Sequence, residues 1–201
     1  VLDAIAEAAA RMELLTGDLL ARTSMVKHGS TVATNALITR SGVTVGLITT
    51  RGFEDTPLIM RAVGRVDGLP EERVRHVAAV TKPEPLVPTH LIRGVRERID
   101  ATGAVVVPLN LDDVRAALRE LVVERGVDAL AVSLLHAWVN PTHELEIRAL
   151  VEEEYGADRV YLSFGSELSS VAGEYARTNT AIADAFVGPT VGRYLADLEE
   201  R

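Results

Sequence analysis

The 201-residue sequence is 47% hydrophobic and 25% charged, with a formal net charge of -8 and no cysteine. This composition excludes a disordered chain, and its acidic balance, with arginines interleaved among acids, argues against a nucleic-acid backbone as partner. The absence of cysteine excludes a disulfide framework and a thiolate metal site and fits a reducing cytoplasm, and no apolar run reaches the roughly 20 residues of a membrane span.

In chain order, Leu2 to Leu15 sets apolar positions at helical spacing, with Asp3 and Glu7 early and Arg11 late, and predicts an amphipathic helix broken at Gly17-Asp18. Residues 28 to 39 then read HGSTVATNALIT, with no acid or base from Gly29 to Thr39. If Thr31 caps a helix from Val32 to Arg40, the hydroxyls of Ser30, Thr31 and Thr34, the Asn35 amide and the free N–H groups of the first turn form a site for an anion. The same polar groups could equally cap the helix and bond back to its own carbonyls. His28 is either a general acid/base or ligand at a strand end, or a histidine satisfied in the core.

Val43 to Thr50 is a nearly uncharged β-rich run and predicts a strand buried on both faces. Glu54, Asp55, Thr56 and Pro57 signal the start of a helix through Arg61, and Asp55 and Arg61 could line a cleft or serve as a helix-start acid and an ion-pair partner. Residues 64 to 89, rich in glycine and proline, predict an irregular connection with a short helix at Glu71 to His76. Ile92 to Ile99 and Ala104 to Val107 read as two strands joined by a hairpin-type turn at Asp100 to Gly103. Asn110 caps a helix that ends before Gly126, Asp128 to Leu135 is a second buried strand, Asn140-Pro141 opens another helix, and Val160 to Phe164 is a third strand. The alternation predicts a mostly parallel α/β fold with strand 129 to 135 in the interior, organised as segments 1–63, 64–89 and 90–201.

The tail from Ser169 is helical, with an expected break at Gly188-Pro189, and repeats the hydroxyl-and-amide theme in Arg177, Thr178, Asn179 and Thr180. This second cluster could face one cleft with the Thr31 end of the first, or be solvated helix surface. No spacing suggests a metal site. The chain opens on Val1 and stops within the charged run Leu198 to Arg201, and is read as a piece of a longer protein.

Five blocks carry a resemblance: HGSTVATNALI at 28–38, GLITTRGFED at 46–55, KPEPLVP at 82–88, AVSLLHAWVNPTHE at 131–144 and EYARTNTAIADAFVGP at 174–189. Together they resemble the N-terminal region of the hydantoinase A/oxoprolinase family, which includes N-methylhydantoinases, 5-oxoprolinase and subunits of acetone and acetophenone carboxylases. The resemblance implies a partial actin-like, ribonuclease-H-type ATPase fold, with ATP and Mg as cofactors and a cyclic amide or ketone as substrate. It also implies activation of the carbonyl by phosphorylation and a homo- or hetero-oligomer with a B-type subunit. On that reading His28 and Asp55 are the catalytic candidates, and Gly29, Ser30, Thr31, Thr34, Asn35, Arg61, Arg177 and Thr178 contact phosphate or substrate. The family's opening Asp-x-Gly-Gly-Thr loop and its later phosphate and metal segment are absent here, and Asp184-Ala185-Phe186 stands where Asn-Ala-Tyr is frequent. The alternative is a non-catalytic assembly or regulatory domain that keeps the fold.

Overall fold

The computed structural model describes residues 2–62, 64–76, 78 and 80–199, with backbone alone for Ala62. Val1, Val63, Val77, Ala79, Glu200 and Arg201, which belong to the three expected segments and the terminal run, lie outside this description. The first helix, α1 (Leu2–Arg11), carries Asp3 in its first turn and Arg11 in its last. It stops short of Leu15, with Glu13 in a left-handed conformation (φ 55°). Gly17 and Asp18 do not break a helix but lie inside the next one, α2 (Thr16–Arg22). α3 (Val32–Thr39) leads through Ser41-Gly42 into β1 (Val45–Thr50), whose six residues are all buried.

After β1 the expected helix through Arg61 shrinks to one turn, α4 (Thr56–Ile59), because Met60 and Arg61 both turn left-handed (φ 54° and 51°) and only a 3-10 turn follows. α5 (Glu71–Val74) is the short helix of the irregular connection. The single strand expected over 92–99 is two strands in two sheets: β2 (Ile92–Val95) joins β1, while β3 (Arg98–Ile99) pairs antiparallel with β4 (Val105–Val107). The hairpin turn lies where expected. The Asp100 carboxylate accepts from Thr102 N (2.8 Å), Thr102 Oγ1 (2.6 Å) and Ala104 N (3.0 Å), and Gly103 supplies φ 88°.

Asn110 caps α6 (Leu111–Leu118) by accepting from Asp113 N at 2.9 Å. A π-helical turn, Arg119–Glu124, extends it to Gly126, whose φ of 64° closes it. β5 (Ala129–Ser133) is wholly buried. α7 (Thr142–Tyr155) starts one residue later than proline at its first position implies, since Asn140 Oδ1 accepts from Thr142 N (3.1 Å) and Pro141 precedes the first turn. β6 (Tyr161–Phe164), α8 (Gly165–Leu168) and α9 (Glu174–Glu199) complete the chain. α9 runs through Pro189 without the expected break. Gly188 serves instead as the place where the Tyr161 ring lies against the helix, in space that a Cβ would fill.

The four strands β2-β1-β5-β6 form one parallel sheet, the α/β arrangement expected, with β5 in its interior. One face of β5 and β6 presents Ala129, Ala131, Ser133 and Ser163, and small residues of α9, Ala181 and Ala185, close against it. The other face presents Leu130, Val132 and Phe164 towards α6 and α7; Leu121 lies near Leu130, and the Arg148 guanidinium sits 4.3 Å over the Phe164 ring. Leu47, Ile48, Leu130 and Val132 are fully buried, each worth about 1.5–3 kcal/mol. Because β1 lies between β2 and β5, segments 1–63 and 90–201 share this sheet, and 64–89 belongs to the crossover that every parallel pair requires. Among the described residues no helix is long and apolar enough to cross a membrane.

Candidate functional site

Strand order defines where such a sheet holds ligands. From β1 the chain crosses to β2 on one side, whereas from β5 it crosses to β6 on the other, so the segments leaving the carboxyl ends of β1 and β5 diverge and open a crevice between them. Thr49, Phe53 and Thr56 line it from the β1 side, Ser133 and Leu135 from the β5 side, and Glu174 and Thr178 from α9, around a cavity of about 10 Å³.

The segment after β5 has no regular partner for its backbone, and side chains from four places supply one. Leu134 N donates to Glu144 Oε1 (2.9 Å), Leu135 N to Thr50 Oγ1 (2.9 Å) and His136 N to Glu174 Oε1 (3.3 Å), while Leu134 O accepts from Arg177 Nη2 (3.3 Å). His136 is thereby held left-handed (φ 58°), its Nδ1 bonded to Ile99 O at 2.8 Å. The holders are themselves fixed. Thr50 donates to the Glu97 carboxylate, whose other oxygen meets His143 Nδ1 at 2.8 Å, and Glu144 Oε2 accepts from Ser166 N (3.0 Å) and Oγ (2.6 Å). Burial pushes the Glu144 carboxyl above its ordinary range, against the opposing pull of the Ser166 and Leu134 hydrogen bonds and the Arg177 charge. Thr49 Oγ1 donates to Ser133 O (2.8 Å), and Ser133 Oγ and Thr178 Oγ1 lie 2.9 Å apart.

Of the residues nominated from sequence, Arg177 and Thr178 belong to this crevice wall. Arg177 is fully buried, paired with Glu174, with its Cγ and Cδ against Gly165. Its Nε and Nη1 and the Ser163 hydroxyl are buried without a partner among the described residues. Asp55 is exposed beside Thr56, and Arg61 is exposed in the left-handed turn after α4.

The remaining nominees gather elsewhere. His28, Gly29, Ser30, Thr31, Thr34 and Asn35 are all exposed at the start of α3. Thr31 makes no side-chain cap; Ser30 Oγ takes the Val32 N–H (3.2 Å), and Thr31 Oγ1 accepts from Asn35 Nδ2 (3.3 Å). His28 is neither at a strand end nor in the core. It lies on a groove of about 340 Å³ between α1, α2 and residues 23–28, with Nε2 against Tyr194 Oη. That contact fixes the geometry, because Tyr194 and Arg177 are separated by about 25 Å of α9 at 1.5 Å per residue. The shared cleft expected for Thr31 and Arg177 is therefore not formed, since α3 packs along α9 and places its start towards the far end of that helix.

Sequence reasoning did not nominate Thr49, Thr50, Glu97, Ser133, Glu144 or Glu174. The available signal was two threonines closing an otherwise apolar strand, and acids adjoining His143 and Arg177. Among the described residues no group of three or more His, Cys, Asp or Glu converges as a metal-binding cluster.

A family model described as the hydantoinase/oxoprolinase N-terminal region matches residues 1–155. The chain belongs to this family. Within the hydantoinase/oxoprolinase relatives, the acetophenone carboxylase gamma subunit of Aromatoleum aromaticum is 41% identical over 189 residues, covering 92% of this chain and 26% of the relative. The crystal structure of the ATP-dependent caprolactamase from Pseudomonas jessenii superposes with a TM-score of 0.85 at 31% identity over 98% of this chain and 27% of that one. A nucleotide-free acetone carboxylase structure, described with the mechanism of ATP-dependent acetone carboxylation, gives a TM-score of 0.83 at 32% identity over 90% and 26%. The chain thus spans about a quarter of the length of these three relatives.

Proposed function

We propose that the chain is part of an ATP-dependent enzyme that activates the carbonyl of a cyclic amide, or of a ketone, for hydrolysis or carboxylation, within a longer protein of actin-like fold. The observation that carries this reading is the match, at above 30% identity and over nine-tenths of the chain, to two ATP-dependent proteins, one a caprolactamase and one a ketone carboxylase. We place the assembly in the cytoplasm and, because relatives are named as gamma and alpha subunits, in a homo- or hetero-oligomer with a B-type subunit.

ATP would supply a phosphoryl group for the carbonyl oxygen, making phosphate the leaving group when water or a carboxylated species completes the reaction. The residues suited to phosphate are those of the α3 start. The first N–H groups of that helix lack intrahelical partners, and Ser30, Thr31, Thr34 and Asn35 surround them in the open, with Gly29 leaving backbone accessible. His28 and Asp55 are exposed and carry proton transfer in this proposal, and Arg61 offers a charge to substrate. Arg177 and Thr178 shape the crevice from behind. At about 10 Å³ that crevice holds a water and not a nucleotide, which supports a role for this chain as one wall of a larger site.

The test is phosphate release from ATP by the longer protein, assayed with ε-caprolactam, with acetone plus bicarbonate, and with neither. Carbonyl-dependent release supports the reading, and the responding compound assigns hydrolysis or carboxylation. No carbonyl-dependent release with either compound would overturn it in favour of an assembly or regulatory domain.

A further inference from the structure

β4 leaves apolar surface in the open. From Ala101 to Leu111 the sequence carries no charge, and Ala104 to Pro108 are all exposed; Val105, Val106 and Val107 stand at 47%, 59% and 44% exposure. One edge of β4 pairs with β3, and among the described residues no strand pairs with the other. The ladder steps from Arg98 and Val107 to Ile99 and Val105 and passes over Val106, which forms a bulge. Charge, proline and bulges are the usual guards of an open edge. Here the bulge and Pro108 discourage a further strand, but no charge guards the faces of β4. The strand is therefore suited to an apolar face laid upon it rather than to extension of its ladder.

The hairpin that carries β4 is anchored at its turn, at its base and to the crevice. Asn140 Nδ2 donates to Gly103 O (2.8 Å) beside the Asp100 turn, and Asn110 N donates to Arg96 O (2.9 Å) where the chain leaves the hairpin. His136 Nδ1 donates to Ile99 O (2.8 Å), and the Arg98 guanidinium lies 5.1 Å from the centre of the Phe53 ring, which lines the crevice. A surface held in this way has little freedom to lose when something covers it. Its size decides what that is. Five residues fall far short of the roughly 20–30 a side that separate molecules use in a stable complex. A body on the same chain needs less, because linkage sets an effective concentration on the order of millimolar. This chain covers 26% of the acetophenone carboxylase gamma subunit and 27% of the caprolactamase, so most of a protein of that length lies outside it. We propose that β4 is the docking face for the rest of the longer chain, which lays an uncharged apolar face on Ala104 to Pro108 and so sets its own part of the site beside the crevice. The proposal rests on the reading of this chain as one wall of a larger site, and says where the remainder attaches.

Residues 1–201 contain no cysteine, so Val106→Cys places a single reporter thiol on β4. The experiment measures its alkylation by iodoacetamide, read by peptide mass spectrometry, in the 201-residue chain and in the longer protein, each at high and low concentration. Ala104→Cys is read in the same way as a second position. The expected result is labelling at least about tenfold slower in the longer protein and unchanged on dilution. Val106 is exposed and outside the ladder, so Val106→Asp should shift the Tm of the 201-residue chain by less than about 2 °C. In the longer protein the same substitution should lower carbonyl-dependent phosphate release at least about tenfold, because the two walls of the site are no longer held in place. Four results would overturn the proposal while leaving the enzyme reading intact: equal labelling rates in the two proteins, protection lost on dilution, protection seen only when a second subunit is added, or unchanged phosphate release in Val106→Asp. Absence of carbonyl-dependent release by the unmodified longer protein overturns that reading instead, and the labelling comparison still decides whether β4 is a docking face.

Discussion

Asp113 and Glu144 make opposite demands on pH. The Arg96 guanidinium, bonded to Asp113 at 2.8 and 3.0 Å, holds that carboxyl below its ordinary range, with help from the Arg96 N–H and the Arg51 charge. A depressed folded value means the stabilisation is present above the unfolded pKa and lost as pH falls through the folded one. Glu144, raised by burial, contributes fully below its unfolded value and loses that contribution as pH rises through its folded one. Urea unfolding across the acid range should show Asp113→Asn losing about 1 kcal/mol near neutrality and little at low pH, since its arginine partners are exposed. Glu144→Gln should instead flatten the decline in stability on the alkaline side of the carboxylate range, and the same slope in both variants would contradict these assignments. Thr31 is the residue on which the phosphate proposal is most simply tested. Its hydroxyl accepts only from exposed Asn35, so Thr31→Ala should change stability by less than about 0.5 kcal/mol. If it bonds a phosphate in the longer protein, its loss should cost about 1.5–3 kcal/mol in turnover, roughly ten- to a hundredfold in kcat/KM; an unchanged rate would return Thr31 to a local bond with Asn35.

Among the elements, contacts between helix and strand rest on glycines of unequal importance. At Gly42 a Cβ would run into both the Phe186 ring and the Phe186 carbonyl, the same carbonyl that accepts from Val43 N at 3.1 Å. Backbone cannot swing aside, so Gly42→Ala should cost about 1–3 kcal/mol and loosen α3 from α9. Gly188→Ala meets the far end of the partly exposed Tyr161 ring, held by one long hydrogen bond to Asp184 Oδ2 (3.2 Å) that a small rotation would break, and alanine favours a helix by about 1 kcal/mol over glycine. Thermal melts should therefore separate the two, and equal losses would mean that Tyr161 is as fixed as a carbonyl. Elements with a local cause were legible in the chain: β1 and β5 as uncharged β-rich runs, α6 between Asn110 and Gly126, and the Asp100 turn. The continuity of α9 was not, because a proline inside a helix is tolerated only where packing holds the turns on either side, and packing is not local. Nor was the crevice network legible, since Thr50 meets Glu97 and Leu135 from 47 and 85 residues away. Arg177 and Thr178 were nominated by residue type, but their setting against Ser133, Leu134 and Gly165 comes from the packing of α9 on the sheet, which no local signal carries.

For the whole molecule, the four-stranded sheet leaves β2 and β6 as its two edges among the described residues. The chain should neither release phosphate from ATP nor open a cyclic amide by itself, because it spans about a quarter of relatives such as the caprolactamase and its crevice, at about 10 Å³, is too small for a nucleotide. Sustained turnover by the 201-residue chain in a phosphate-release assay would show that the machinery lies within it. The strand order has a further effect, on the time course of synthesis. β1 is made before the other described strands but occupies the interior of the sheet, and its partner β5 lies 84 residues later in the chain. At translation rates of about 5–20 residues per second, the Val45–Thr50 segment waits roughly 4–17 s with that edge open. An uncharged, β-prone stretch exposed for so long is a site for pairing between nascent chains on neighbouring ribosomes. Slowing elongation between Thr50 and Ala129 should therefore lower soluble yield in the cell without a matching fall in the stability of the folded chain.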